Sequence, residues 1–202
     1  MAKSEATIRC PWCPAGDSLY EQYHDEEWGV PEHDGLRLFE MLNLEGAQAG
    51  LSWRTILGRR EGYRAVFEGF DPAKLIRWNE EKILGALQNP GIIRNRLKVR
   101  GVIKNALAVE RHFGGDLELF ARFVWSFAEQ PIRQNNFVQM SDYPARTEAS
   151  DRMSRELKKM GFTFAGSTIC YAFMQAVGMV NDHSADCFRR EPVKKLGAKV
   201  SL

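Results

Sequence analysis

The run from Asp34 to Trp53, DGLRLFEMLNLEGAQAGLSW, reads as one helix at the centre of a core. Asp34 is an N-cap residue type and Gly50 a stop. At about 100° per residue, Leu38, Leu42 and Ala49 fall on one apolar stripe, with Trp53 on the same side if the helix ran on. Glu45 falls within about 20° of Leu38, inside that stripe. A carboxylate on a face that must be buried is expensive unless it is paired or used. Two readings are open at this point: a buried glutamate satisfied by backbone or an arginine, and a carboxyl kept for chemistry. Aromatic and metal-ligand residues gather in the segment just before it, which favours the second.

The chain has 202 residues, enough for one domain or a compact two-lobed unit with a full core. MAKSEATIRC carries no signal-peptide pattern and no run of 18 apolar residues occurs, so a soluble, cytoplasmic protein without a membrane partner is expected. Four cysteines in a reducing compartment point to metal or core roles rather than disulfides. A net charge of +2 excludes a histone-like binder but leaves local basic runs at Arg94–Lys104, at Arg152–Lys159 and after Arg189.

Taken in order, residues 1–9 read as a loose terminus. Ser18 to Glu21 is a capping-box pattern opening a helix that puts Tyr20, Tyr23 and His24 on one face. Residues 53–70 read as a further helix with Tyr63, Val66 and Phe67 inward, and Pro72 opens another. After the Asn89-Pro90-Gly91 turn, residues 91–113 read as a long helix with Ile92, Ile93, Leu97, Val102, Ile103 and Leu107 in the core. Leu117 to Phe127 is a short aromatic helix, residues 130–148 an ordered loop, and 190–202 a loose basic tail. Convincing period-2 segments are few and no long internal repeat occurs, so the expectation is an all-α chain of about nine or ten helices.

Near the C-terminus, a helix from Ser150 to Met160 with Ser150 as N-cap leads into Gly161–Ser167 and then an apolar helix. Glycines let the backbone approach closely, and the second helix presents free N–H groups that suit a DNA phosphate. A plain αα-hairpin fits the same pattern. Cys10, His24, His183 and Cys187 form a Cys₂His₂ set that could clamp the two chain ends with a tetrahedral zinc. The spacings C-x13-H and H-x3-C are not those of a standard finger, and Cys13 could replace Cys10. Cys170, in an apolar helix, reads as a core cysteine, and Asp182 as the residue that orients His183.

Taken together, CPW at 10–12, LYEQYHDEEWGVPEHD at 19–34, LFEMLNLEGAQAGLSW at 38–53, FVWSF at 123–127 and KKMGFTFAGSTICYAFMQAVGMVNDH at 158–183, with Cys187, resemble the 3-methyladenine DNA glycosylase I family of the helix-hairpin-helix superfamily. The resemblance runs from Cys10 to Cys187 with the motif order preserved. It implies an all-α, two-lobed helical bundle in one glycosylase unit over 1–202, with the active site in the cleft between lobes and the hairpin anchor at about 150–182. It implies one structural zinc on Cys10, His24, His183 and Cys187, leaving Cys13 as an extra. It makes Glu45 the pocket carboxylate, and Tyr20, Tyr23 and Trp53 the aromatic residues that bind the base, with Trp12 and Trp28 as outer walls. Gly50 and Leu51 would fill the gap in the duplex, and Gly161, Gly166 and Ser167 would anchor the DNA backbone. Where the family commonly carries Gln after Glu-Gly, this chain has Ala47.

The implied reaction is hydrolysis of the N-glycosidic bond of 3-methyladenine in double-stranded alkylated DNA, releasing the free base and leaving an abasic site. No lysine stands out as a Schiff-base nucleophile, so no strand-cleaving step is expected, and no cluster of four cysteines offers an iron–sulfur centre. The alternative is a non-catalytic alkylation-damage binder on the same fold. A monomer is expected.

Overall fold

The computed structural model describes residues 7–200. Eleven α-helices occur among them: α1 Ser18–Glu26, α2 Gly35–Ala47, α3 Trp53–Leu57, α4 Arg60–Val66, α5 Pro72–Leu75, α6 Glu80–Ala86, α7 Arg96–Phe113, α8 Leu117–Trp125, α9 Glu148–Lys159, α10 Ser167–Ala176 and α11 Arg190–Gly197. Two 3₁₀ turns complete the set, and the described residues form no strand, only an isolated bridge between Gln134 and Asn181. The all-α expectation holds, with one or two more helices than the sequence pattern suggests. No helix among the described residues is long and apolar enough to cross a membrane.

Helix boundaries follow the capping residues more than the apolar periodicity. The expected helix over 53–70 is two, because Gly58 ends α3 and α4 begins afresh after Arg59. Tyr63 and Phe67 are buried as expected, and Val66 is only half-buried. The long helix begins at Arg96 rather than 91, where the Asn95 side chain accepts from the N–H groups of Leu97 and Lys98. Leu97 then lies in its first turn, 72% exposed, and Leu107 is 42% exposed, so neither is core. Asp17 rather than Ser18 caps α1. Thr147 rather than Ser150 caps α9, with Ser150 as the reciprocal partner three residues on.

The chain divides into two compact units. One gathers Met1–Pro31, Ala128–Ala145 and Met174–Leu202. Here the 130–148 loop is ordered by backbone bonds: Asn135 N–H to the Asn181 carbonyl (3.1 Å), Asn181 N–H to Arg133 (2.9 Å) and Ala185 N–H to Phe137 (2.8 Å). The tail expected to be loose from 190 instead forms α11. It buries Val193 and brings Gly197 so near Ile132 that a Cβ would lie 3.3 Å from that side chain. At the other end, Arg9 is tied to Asp25 at 2.7 Å.

The other unit gathers Glu32–Phe127 and Arg146–Phe173. Helix α2 runs through its centre, buried on every side from Leu38 to Ala47 rather than along one stripe. Asp34 caps it, accepting from Arg37 N–H at 2.9 Å. Gly35 lets it touch α8, where a Cβ would lie 2.1 Å from the Leu117 carbonyl oxygen. Phe39 meets Phe120 edge-on at 6.2 Å, and Phe120 stacks on Phe162 at 6.0 Å. Tyr63, Phe67, Phe70 and Trp78 make a second stacked aromatic layer.

Candidate functional site

Helix α2 buries three polar residues, and their surroundings differ. Glu40 receives Arg60 at 3.0 Å and Arg64 at 2.8 Å, so its charge is paired. Asn43 donates to the Phe39 carbonyl at 2.8 Å and accepts from Asn105 at 2.9 Å. Glu45, only 4% exposed, has no hydrogen-bond or ion-pair partner among the described residues. Burial alone pushes its carboxyl up to about 8 from 4.5. Arg60 and Arg64, which could have satisfied a buried glutamate, are engaged by Glu40 five residues earlier.

The helix ends at Ala47, and residues 48–52 form a turn with Gly50 at φ +75° and Leu51 38% exposed. Gly50 is therefore not the helix stop; the C-cap is Gln48, two residues earlier. Trp53 starts α3, buried, with Ser52 as its cap. Tyr20 and Tyr23 lie on α1 in the other unit, Tyr23 buried and Tyr20 half-buried. Trp12 packs against both, edge-on to Tyr20 at 5.7 Å and tilted to Tyr23 at 6.4 Å, and meets Trp28 at 4.8 Å.

The link between α9 and α10 is built as the glycine pattern required. Gly161 takes φ +90°, its N–H bonds the Lys158 carbonyl at 3.0 Å, and Phe162 N–H bonds Leu157 at 3.0 Å, the two bonds that close a Schellman ending. Gly166 accepts from Cys170 N–H at 2.8 Å, and Ser167 opens α10. Asn105 on α7 holds the link through Thr163, whose N–H it accepts at 2.8 Å.

Cys10, His24, His183 and Cys187 meet in the first unit, all buried, with one donor atom from each lying within 4.8 Å of the others. The Cys10 and Cys187 sulfurs each lie 3.4 Å from His183 Nδ1, and Cys187 lies 3.4 Å from His24 Nε2. The outer ring nitrogens are engaged: His24 Nδ1 faces Asp25 at 2.7 Å and His183 Nε2 faces the Trp28 carbonyl at 3.0 Å. Each imidazole thus donates outward and turns its lone pair inward, as metal-bound histidines do. Cys10 Sγ accepts from Ser184 N–H and Cys187 Sγ from Arg189 N–H, both at 3.4 Å. The hydrogen bond from the Cys10 thiol draws the Cys187 thiol strongly down against its burial, while the same bond and burial push Cys10 up. A buried set of two sulfurs and two imidazoles can hold a metal ion.

The partner of His183 is a correction. Asp182 instead receives Asn135 at 2.7 Å and Gln175 at 2.8 Å, holding the loop and α10. The carboxylate in the orienting position is Asp25, beside His24 in sequence. Burial works against its charge, but Arg9 and His24 outweigh it and hold it below its usual range. Cys13 is buried, stands outside the cluster and is pushed up to about 11 by burial. Cys170 is a core cysteine as expected, bonded to the Ala165 carbonyl at 3.6 Å.

An all-helical fold carrying a buried Cys₂His₂ cluster and a buried, unpartnered glutamate narrows the field, and comparison with known proteins completes it. A family model described as methyladenine glycosylase matches residues 12–190. DNA-3-methyladenine glycosylase 1 of Escherichia coli K12 is 50% identical over 180 residues, covering 89% of this chain and 95% of that protein. A crystal structure of 3-methyladenine DNA glycosylase I superposes with a TM-score of 0.85 at 49% identity, covering 90% and 98% of the two chains. The Staphylococcus aureus enzyme, solved to explain its 3-methyladenine recognition, gives a TM-score of 0.80 at 31% identity over 87% of this chain and 93% of that one. The chain belongs to the methyladenine glycosylase family.

Proposed function

We propose that this protein is a DNA-3-methyladenine glycosylase of base-excision repair, which hydrolyses the N-glycosidic bond of 3-methyladenine in alkylated DNA and releases the free base. Family membership supports the activity, and the observation that carries the chemistry is the buried, unpartnered carboxyl of Glu45. The target base is hidden in the stack, so it must first be extruded, at a cost of a few kcal/mol that is smaller for a damaged base.

Tyr20, Tyr23 and Trp53 are the residues this reading assigns to the extruded base. A methylated purine is cationic in DNA, so aromatic faces gain an electrostatic attraction beyond stacking. Glu45 supplies the complementary charge. Near neutral pH burial keeps its proton on, and a cation brought within a few ångströms draws the carboxyl back toward ionisation. Ionisation thus comes with the lesion rather than before it, and a neutral adenine cannot elicit it. The cationic base is already a good leaving group, which removes the need for a general acid. Its departure leaves an abasic site, with no lyase step.

On this reading the link between α9 and α10 is a helix-hairpin-helix anchor, with Gly161, Gly166 and Ser167 against the DNA backbone. Gly50 and Leu51 fill the space that the base vacates. Cys10, His24, His183 and Cys187 hold a structural zinc. Bonds of about 2.0–2.3 Å in a tetrahedron put the donors roughly 3.3–3.8 Å apart, close to the 3.4 Å separations here. Four protein ligands leave no position for substrate, so zinc acts on folding alone.

The test is chromatography of bases released from DNA treated with a methylating agent. Release of 3-methyladenine with 7-methylguanine left in the DNA is the expected result. DNA binding without any release would instead make the protein a damage binder.

A further inference from the structure

Helix α2 does not end on its own hydrogen bonds. Gln48 N–H takes the carbonyls of Leu44 and Glu45, Ala49 N–H takes Gly46 and Leu51 N–H takes Gln48. The carbonyls of Ala47 and Ala49 are met by a side chain from another helix. Lys98 Nζ, in the first turn of α7, donates to Ala47 at 2.8 Å and to Ala49 at 2.7 Å. A cation at a helix C-terminus is also favoured by the helix dipole. The ammonium thereby fixes the direction in which the chain leaves α2, one residue before Gly50.

We propose that Lys98 is a positioning residue for the reaction on duplex DNA: it holds the Gln48–Ser52 turn so that Gly50 and Leu51 present themselves to the gap in the stack. The inference rests on the gap-filling role assigned above to Gly50 and Leu51. Besides the backbone bonds of Ala49 to Gly46 and of Leu51 to Gln48, which stay within the turn and the helix it leaves, the Lys98 ammonium is the contact that ties this turn to a second helix. Gly50 has open space around its Cβ position and Leu51 is 38% exposed. Glu45 does not depend on Lys98, because α2 is fixed upstream by Glu40 with its two arginines and by Asn43 with Asn105. Loss of the lysine therefore frees the turn while leaving the carboxyl in place.

This separates two substrates. In methylated single-stranded DNA there is no stacked partner to displace and no gap to fill, whereas duplex DNA needs both. Lys98→Met keeps the aliphatic stem and removes both donors. Under single-turnover conditions it is expected to slow base release from methylated duplex DNA by about tenfold or more, the size of a misplaced contact away from the chemistry. Release from methylated single strands should change less than about twofold, on the same reasoning. Lys98→Arg, whose fork can reach both carbonyls, should restore most of the duplex rate.

Leu51→Gly is measured alongside. If Leu51→Gly slows the duplex reaction and Lys98→Met does not, the positioning role of Lys98 is overturned. An equal loss on both substrates, unrescued by arginine, overturns it too, since Lys98 would then support the fold in general. If Leu51→Gly leaves the duplex rate intact, the gap-filling reading itself fails and takes the inference with it.

Discussion

The Cys/His cluster and Glu45 are both polar groups sealed away from water, and they are treated in opposite ways. In the cluster both ring nitrogens of each histidine have a neighbour, both sulfurs accept a backbone N–H, and Asp25 is itself held by Arg9. Glu45 is buried without a counter-charge, and Arg60 and Arg64 are committed to Glu40. Buried groups that the protein satisfies by itself act on folding. A buried group that it leaves unsatisfied raises the energy of the free state and waits for a partner from outside.

The largest effect expected is on the satisfied side. Removing the zinc proposed here leaves two imidazole lone pairs facing two sulfurs after chelation, or the single Cys10 sulfur in Cys187→Ala, in a dry site. Structural zinc contributes on the order of 10 kcal/mol in small zinc-folded peptides. A fall in thermal midpoint of more than about 10 °C should follow, at roughly 2–4 °C per kcal/mol for a chain of this size. Circular dichroism melts with and without chelator measure it, and an unchanged midpoint would break the contrast.

The next effect has the opposite sign and belongs to Glu45. Its folded carboxyl titrates near 8 against 4.5 ordinarily, so between these values the folded state keeps a proton that the unfolded chain releases. Stability is thus lost as pH rises through that window, by as much as ~5 kcal/mol once Glu45 is ionised. Glu45→Gln should match the wild type near pH 5 and exceed it above pH 8, in urea titrations at the two pH values. Equal stability at both would mean that Glu45 has a counter-charge after all.

Asn105 sharpens the comparison within the second unit. It joins α2 to the α9–α10 link by bonding both Asn43 and Thr163, so Asn105→Ala leaves one buried and one half-buried group without it. A loss of about 1–3 kcal/mol is expected by denaturant unfolding. At the small end stands Leu97, which the apolar pattern assigned to the core and which is 72% exposed. Leu97→Ser should stay within about 0.5 kcal/mol of the wild type by the same measurement.

The sequence made the helical class, the buried Glu45, the glycine-bounded link and the four cluster residues legible, since each is carried by local pattern or by residue type. Helix starts were less so. Ser52 and Asn95 interrupt apolar runs that continue across them, and a side-chain cap outweighs periodicity there. Asp182 reads as the orienting carboxylate because it stands beside His183; Asp25 stands beside His24 in the same way, and only the fold decides which one faces a ring nitrogen. Helix α11 is a short basic segment whose order comes from burying Val193 and Gly197, a tertiary contact with no local signature. Lys98 sat in a basic run that reads as solvated, and its two carbonyl partners are about fifty residues away.

The most direct test of the account compares Glu45→Gln with the wild type on methylated duplex DNA, following 3-methyladenine release and DNA binding in the same preparation. Glutamine keeps the shape and cannot ionise toward a cationic base. The account predicts binding within a few-fold of wild type and release slowed by about 100-fold or more, the scale of losing one preorganised electrostatic contact. Release at the wild-type rate by a well-folded Glu45→Gln protein would contradict it, because the unpartnered carboxyl would then have no part in the chemistry.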